Sequence, residues 1–203
     1  MTTPALSFLH RFEPATGPSR APLLLLHGTG GDETDLLPLG RAVASGAALL
    51  SPRGPVLENG MPRFFRRLAE GVFDEADVVR RAHDLADFVT AARETYGLGA
   101  PVALGFSNGA NIAAAVLLLR PEALAGAALL RAMVPLQAPP PADLRDRRVL
   151  VLSGDQDTIA PAENAARLAA ILKEAGASVD HRTLPAGHGL SQADLRLVGE
   201  WMA

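Results

Sequence analysis

The chain has 203 residues and a net charge of −3, from 19 basic and 22 acidic residues. Hydrophobic residues make up 48% and charged residues 20%, a balance typical of a globular chain. The length predicts a single α/β domain over residues 1–203, because single cores grow to about 250 residues before chains divide. The acidic balance argues against a nucleic-acid partner. The absence of cysteine excludes disulfides, thiolate metal ligands and a cysteine nucleophile.

Two segments bear on where the protein acts. Residues 1–5 have neither the basic stretch nor the apolar stretch of a secretory signal. The apolar run 112–119 is too short to cross a bilayer. The sequence therefore predicts a cytoplasmic protein without stable membrane insertion.

Short apolar segments that end at turn residues predict buried strands. Unbroken apolar runs suit strands that are covered on both faces, as in a parallel sheet. In chain order the six segments are residues 23–26, 47–50, 102–106, 127–130, 149–152 and 179–184. Before them, residues 6–12 and a turn over 14–18 predict a small antiparallel start to the sheet.

Helical patterns separate these strands. Residues 74–95 carry apolar side chains at helical spacing, and Asp74 with Asp77 resembles a capping box. Further helices are predicted over 108–119, 161–174 and 191–202. Strands alternating with helices predict an α/β fold with a mainly parallel central sheet flanked by helices. Two segments, 52–72 and 135–148, are expected to be irregular loops, which often carry function.

Residues 105–109, Gly-Phe-Ser-Asn-Gly, match the G-x-S-x-G nucleophile elbow. In such an elbow a strand turns sharply into a helix and exposes the serine hydroxyl. The two glycines remove side chains that would clash in the turn. An apolar strand precedes Ser107 and a predicted helix follows it, so the context favours an elbow over an ordinary glycine-rich turn.

A serine hydroxyl needs a base to become a nucleophile. His188 is the candidate, because it lies between Gly187 and Gly189 in a loop after the last strand. The other histidines sit within predicted strands or helices or in the glycine-rich turn at 27–32. The orienting acid is Asp157 or Asp155, which both follow the strand 149–152. We favour Asp157, because Asp155 is nearer the strand and could brace the loop instead.

Residues 27–32, His-Gly-Thr-Gly-Gly-Asp, predict an oxyanion hole after the strand 23–26. A glycine-rich turn there lets backbone N–H groups point into the site, and those of Thr29 and Asn108 are the expected donors. The alternative is a phosphate-binding loop. Neither G-x-x-x-x-G-K-[ST] nor G-x-G-x-x-G is present at this point, which argues against that alternative.

Together these motifs resemble the α/β-hydrolase superfamily, and within it the small bacterial phospholipase/carboxylesterase family. They run from residue 23 to residue 190 in the order of that family, with Ser107, Asp157 and His188 in the order Ser, Asp, His. The resemblance implies carboxylic-ester hydrolysis by that triad, without a cofactor or metal. The chain departs from the family at two positions, with Asn108 where Gln is common and Thr29 where Leu is frequent.

The pocket residues are less distinct in the sequence. Met61, Phe64, Phe65 and Met133 are candidates for substrate binding, with plain core packing as the alternative. Arg53, Arg63 and Arg131 could bind an acidic group of the substrate, although surface salt bridges explain them better. The connection from 130 to 149 is too short for a large cap domain. The site should therefore be open, covered at most by the loop 52–72.

The resulting hypothesis is a serine carboxylesterase that acts on small to medium carboxylic esters. A lysophospholipase, thioesterase or acyltransferase with the same triad is the nearer alternative. A non-enzymatic binding protein on this fold is the more distant one. The expected partner is a small-molecule ester, and apolar loop residues such as Phe64 would be compatible with a homodimer.

Overall fold

The computed structural model describes residues 6–17 and 21–203. Residues 1–5, which were examined for a secretory signal, lie outside these ranges, and so does residue 18 at the end of the predicted turn. The strands are β1 (His10–Glu13), β2 (Leu23–Leu26), β3 (Leu49–Pro52), β4 (Val56–Glu58), β5 (Met61–Arg63), β6 (Arg67–Ala69), β7 (Val72–Phe73), β8 (Val102–Phe106), β9 (Gly126–Leu130), β10 (Arg148–Gly154) and β11 (Ser178–Leu184). The α-helices are α1 (Leu37–Val43), α2 (Glu75–Tyr96), α3 (Asn108–Leu119), α4 (Ala162–Glu174) and α5 (Gln192–Met202), and a short 3-10 helix covers Pro121–Ala123.

Seven strands form the central sheet in the order β1-β3-β2-β8-β9-β10-β11. All neighbours pair in parallel except β1, which runs antiparallel to β3 at one edge. The predicted α/β class, the mainly parallel sheet and its antiparallel start are therefore confirmed.

Each central strand buries both faces, which explains why its sequence is apolar without alternation. In β2, Leu24 and Leu26 pack in the core that holds α2, α3 and α4. Leu23 and Leu25 pack on the opposite face, in the core that holds α1 and α5. The same alternation continues in β8, β9 and β10. The sheet is thus a rigid middle layer between two layers of helix.

Two segments differ from the sequence prediction. The short helix α1 was not predicted, because seven residues give too few turns for a clear helical period. The segment 52–72 is not one irregular loop. It contains two small antiparallel hairpins, β4 with β5 and β6 with β7. Positive backbone φ angles at Asn59, Gly60 and Gly71 allow the tight hairpin turns.

The carboxyl ends of the parallel strands meet at one edge of the sheet, where α/β proteins place their ligand sites. Ser107, Asp157 and His188 each follow one of these strands, β8, β10 and β11. Within the described ranges, no helix combines the length and apolar character needed to cross a membrane.

Candidate active site

Ser107 lies in a strained turn between β8 and α3. Its φ is +53° and its ψ is −114°, a combination that an L-residue rarely adopts. A Cβ on Gly105 would lie 2.6 Å from the Gly109 carbonyl oxygen, and a Cβ on Gly109 would overlap the Leu26 carbonyl. Both positions therefore require glycine, because helix α3 starts in direct contact with the end of β2. This is the geometry that the G-x-S-x-G pattern predicts.

His188 connects the Ser107 hydroxyl to the Asp157 carboxylate. Its Nε2 lies 3.0 Å from Ser107 Oγ, and its Nδ1 lies 2.8 Å from Asp157 Oδ2. The Asp157 side chain is fully buried, whereas that of His188 is 22% exposed. Asp155 is exposed and makes no side-chain contact with His188. The arrangement can pass the hydroxyl proton to the imidazole, provided that Nδ1 carries the ring proton.

The Asp157 carboxylate is held in its charged form. Burial alone would raise its pKa, but hydrogen bonds from the Ala160 N–H, from His188 and from the Ile159 N–H lower the pKa below the ordinary value. Both backbone donors bind Oδ1 at 2.9 Å, which leaves Oδ2 for His188. The backbone after β10 thus fixes which carboxylate oxygen faces the imidazole.

The glycine-rich turn after β2 lies beside Ser107. Among the described residues, none accepts a hydrogen bond from the backbone N–H of Thr29 or of Asn108. The turn is held from outside by hairpin β4–β5, because the Gly30 N–H donates to the Pro62 carbonyl at 3.0 Å. The Arg63 guanidinium also donates to Thr29 Oγ1 at 2.6 Å. Thr29 and Asn108 line the same cavity as Ser107, so their N–H groups are candidates to stabilise an oxyanion there.

A cavity of about 350 Å³ opens beside Ser107. Residues from the turn, the elbow, both hairpins and the His188 loop form its wall: Thr29, Arg63, Arg67, Glu70, Gly71, Phe73, Phe106, Ser107, Asn108, Asn111, Met133, Ile159 and His188. The segment 52–72 therefore forms part of the cavity wall, and the expectation was an open site covered at most by this segment. Within residues 6–17 and 21–203, no group of three or more His, Asp or Glu side chains could hold a metal ion.

Comparison with known proteins identifies the family. The chain is 46% identical to the "Putative hydrolase MhqD" of Bacillus subtilis (strain 168) over 187 residues, which is 91% of this chain and 94% of that protein. The structure of the Bacillus cereus carboxylesterase superposes with a TM-score of 0.94 at 43% identity, covering 97% of this chain and 93% of that one. The chain belongs to the carboxylesterase family of the α/β-hydrolases. The Mesorhizobium loti carboxylesterase is a further relative, at 35% identity and a TM-score of 0.91, over 96% of this chain and 94% of that one. No protein-family model matches the chain.

In the present chain, the four residues predicted to bind substrate do not share one location. Met133 lines the cavity. Met61 is 40% exposed on β5 and lies outside the cavity wall. Phe64 and Phe65 are only 1% and 0% exposed and belong to the hydrophobic core, so the core-packing alternative describes them. The expectation that Phe64 is exposed and could contribute to a homodimer contact is wrong for the same reason.

The three arginines also have different roles. Arg53 makes a salt bridge, as the sequence favoured, with Nε 2.5 Å from Glu33 Oε2, but the Glu33 side chain is only 9% exposed. Arg63 lines the cavity and is 3% exposed. Arg131 is wholly buried and outside the cavity wall, so it neither makes a surface salt bridge nor touches a substrate in that cavity.

Arg131 instead holds the His188 loop of this carboxylesterase. Its guanidinium makes two hydrogen bonds to Asp194, at 2.8 and 2.9 Å, and both side chains are fully buried. Its Nε and Nη2 donate to the carbonyls of Gly187 and Gly189, at 2.9 and 3.2 Å. Burial would raise the pKa of Asp194, but hydrogen bonds from Arg131 and Ser191 lower it, so the carboxylate stays charged. One ion pair thus clamps the residues on both sides of His188.

Sequence reasoning missed this clamp because its partners are 63 residues apart. Asp194 also forms a capping box with Ser191 at the start of α5. The available signal was weak: an arginine directly after an apolar strand. Its positive φ of 55°, which marks a strained position, is visible only in the structure.

His27 is a second missed residue, and it holds the glycine-rich turn 27–32, which the sequence predicts to be the oxyanion turn. It is 1% exposed and packs against the Phe64 ring, at 4.8 Å between centroids. Its Nδ1 lies 2.7 Å from the Gly28 carbonyl, and its Nε2 accepts from the Gly54 N–H at 2.9 Å. These partners require a neutral ring with its proton on Nδ1. Burial lowers the pKa of His27 below 6.5, which agrees with that assignment.

We expect Arg131→Met to lower the free energy of unfolding by about 3–5 kcal/mol, because it leaves the buried Asp194 carboxylate without a partner. It should also reduce kcat, since the His188 loop loses two carbonyl anchors. Urea unfolding and ester hydrolysis measure the two effects. Arg145→Met is the matched control, because both partners of its ion pair with Asp143 are exposed, and it should leave stability close to that of the wild type. Wild-type stability in Arg131→Met would contradict the clamp.

A second expectation concerns acid stability. The unfolded chain binds a proton at His27 below about pH 6.5, whereas the native state resists it, so stability should fall as pH drops from 6.5 towards 5. His181, whose pKa burial also lowers, adds to the same trend. His27→Gln should flatten the pH dependence of urea unfolding over this window, and the exposed His83→Gln should not. An unchanged slope in His27→Gln would show that His27 is not held neutral.

Proposed function

We propose that this carboxylesterase hydrolyses small to medium carboxylic esters through an acyl-enzyme formed on Ser107. The observation that carries the proposal is the continuous hydrogen-bond chain from Ser107 Oγ through His188 to Asp157, at 3.0 and 2.8 Å. This geometry matches what nucleophilic catalysis by a serine requires: a base within reach of the hydroxyl and an acid that orients the base.

In the first half of the reaction, His188 Nε2 takes the proton of Ser107 while Ser107 Oγ bonds to the ester carbonyl carbon. The carbonyl oxygen becomes an oxyanion and is stabilised by the N–H groups of Thr29 and Asn108. His188 then gives its proton to the departing alcohol oxygen, and the C–O bond of the ester breaks. Asp157 keeps the imidazole in the tautomer that can accept the proton and stabilises the imidazolium that forms.

In the second half, water replaces the alcohol. His188 takes a proton from water, whose oxygen bonds to the acyl carbon. Collapse of the second tetrahedral intermediate breaks the bond to Ser107 Oγ, which recovers its proton from His188. The free acid leaves and the enzyme returns to its starting state.

The size and lining of the cavity support a small ester. A space of about 350 Å³ with two arginines and two asparagines on its wall suits a short, partly polar substrate. It suits the long alkyl chain of a lysophospholipid poorly, because such a chain would leave buried polar groups without partners. A thioester or a transfer to another alcohol uses the same steps, and nothing in the site favours either over hydrolysis of an oxygen ester.

We expect Ser107→Ala to lower the turnover of p-nitrophenyl acetate and butyrate by about 10⁴-fold or more, because in the part of the chain that the structure describes only the Ser107 hydroxyl lies within hydrogen-bonding distance of His188. The exposed Ser45→Ala is the matched control and should keep wild-type rates. Hydrolysis followed at 400 nm over chain lengths from acetate to octanoate measures both variants and the size of the pocket. Near-wild-type turnover by a folded Ser107→Ala protein would refute Ser107 as the nucleophile.

A further inference from the structure

The cavity beside Ser107 contains polar donors that the proposed reaction does not use. They come from Arg63 on hairpin β4–β5 and from Asn108 and Asn111 on helix α3. Asn108 Nδ2 is buried without a partner among the described residues, whereas Arg63 and Asn111 keep donors without a protein acceptor on the wall of the open cavity. Unused donors on one cavity wall can bind a ligand that carries acceptors.

Arg63 is a buried cation with incomplete pairing. Its Nε donates to the Phe65 carbonyl at 3.2 Å and its Nη1 donates to Thr29 Oγ1 at 2.6 Å. No described residue accepts a hydrogen bond from Nη2. A guanidinium has five N–H donors in a planar fork, so Arg63 keeps free donors beside the oxyanion turn. Burial lowers the pKa of Arg63 in spite of the nearby Glu58.

The carboxylate that faces Arg63 is shared with a second arginine. Glu58 Oε2 lies 3.1 Å from Arg63 Nε but accepts no hydrogen bond from any described residue. The other oxygen, Oε1, accepts from Arg67 Nε at 2.8 Å. One carboxylate therefore faces two guanidiniums, and both guanidiniums line the cavity. Glu70 also lines the cavity but is exposed at its rim, where water screens its charge.

The two asparagines contribute neutral donors. Asn111 is 5% exposed and uses Oδ1 to accept from the Met133 N–H at 2.7 Å, which orients its amide NH₂ away from that bond. Asn108 is 2% exposed and uses Oδ1 to accept from the Phe64 N–H at 2.7 Å. Its Nδ2 is buried without a partner among the described residues. Both side chains are therefore fixed with the acceptor engaged and the donor free.

We propose that Arg63 and Asn111 form an anion subsite that selects esters carrying a carboxylate group, such as monoesters of short dicarboxylic acids. A planar carboxylate matches the arginine fork, and its second oxygen can accept from an amide NH₂. A partly desolvated guanidinium with spare donors favours an anion over a neutral ester at this end of the cavity. The proposal rests on the proposed hydrolysis at Ser107, which supplies the reaction while the subsite supplies the selectivity.

The competing interpretation is that Arg63 only braces Thr29 and so shapes the oxyanion turn. In that case removing Arg63 would slow all esters by the same factor. A true subsite changes the ratio between a charged ester and its neutral counterpart. The ratio of kcat/KM for the two substrates therefore separates binding of the anion from positioning of Thr29.

The test compares monomethyl glutarate with dimethyl glutarate at pH 7.5, with acid release followed by pH-stat titration. The two substrates share a carbon skeleton and differ in one carboxylate. The wild type should prefer the monoester by at least about tenfold in kcat/KM, or about 1.4 kcal/mol. Arg63→Met should remove this preference, and Arg63→Lys should recover only part of it, because lysine lacks the fork.

Asn111→Asp is the sharper variant. Its remaining oxygen can still accept from the Met133 N–H, but a carboxylate replaces the donor and should reverse the preference towards the dimethyl ester. Arg145→Met is the matched control, since Arg145 is exposed and pairs with Asp143 away from the cavity. It should keep the wild-type ratio.

Equal rates for the two esters, or equal losses for both in Arg63→Met, would overturn the subsite and leave hydrolysis at Ser107 intact. So would turnover of p-nitrophenyl butyrate with no turnover of either glutarate ester. If Ser107→Ala hydrolyses these esters as fast as the wild type, the proposed function fails instead.

Discussion

The contact between the start of helix α3 and the end of strand β2 constrains the whole site. Gly109 lies so close to the Leu26 carbonyl that no side chain fits, and Gly105 is packed against Gly109 in the same way. The close contact forces the chain to turn within one residue, which places Ser107 at φ +53°. The same turn leaves the N–H of Asn108, at the first position of the helix, without an acceptor among residues 6–17 and 21–203. Strain at one residue thus provides both an exposed hydroxyl and a backbone donor beside it.

The rest of the site is brought to this elbow by loops, and each loop is held by buried polar groups. Arg131 and Asp194 hold the loop that carries His188. His27 joins the oxyanion turn to the backbone at Gly54. The backbone N–H groups of Ile159 and Ala160 hold Asp157. In each case buried hydrogen bonds fix the position of the loop, because a loop has few apolar contacts of its own. The sheet, in contrast, is held by its hydrophobic core.

Much of the fold and the polar constellation at its centre could be predicted from the sequence. The strands 23–26 and 102–106 and the helix 108–119 have the same bounds in the structure, because both faces of each element are buried and the apolar pattern is unbroken. Ser107, Asp157 and His188 could be selected because each follows a strand, and parallel strands end at one edge. The structure brings these three side chains within hydrogen-bonding distance, and the catalytic roles assigned to them stay a prediction.

The remaining features depend on pairings that no local pattern shows. Phe64 and Phe65 follow the hairpin β4–β5, and only the tertiary fold determines that they turn into the core rather than the cavity. Arg63 faces the cavity from the same hairpin, and Arg131 finds its partner on the last helix. Residue type alone favoured a surface salt bridge for both arginines over binding of an acidic group of the substrate. Their surroundings give them different roles. Hydrogen bonds to Asp194 and to carbonyl groups occupy the donors of Arg131, whereas Arg63 keeps unused donors.

Covalent labelling tests the central claim, nucleophilic attack by Ser107, most directly. A fluorophosphonate reacts with a serine only when a neighbouring base activates it, so the intact protein should gain one adduct. Peptide mass spectrometry should locate that adduct on Ser107, and Ser107→Ala should remain unlabelled. A folded wild-type protein that takes up no label, or that carries it on another residue, would contradict the assignment.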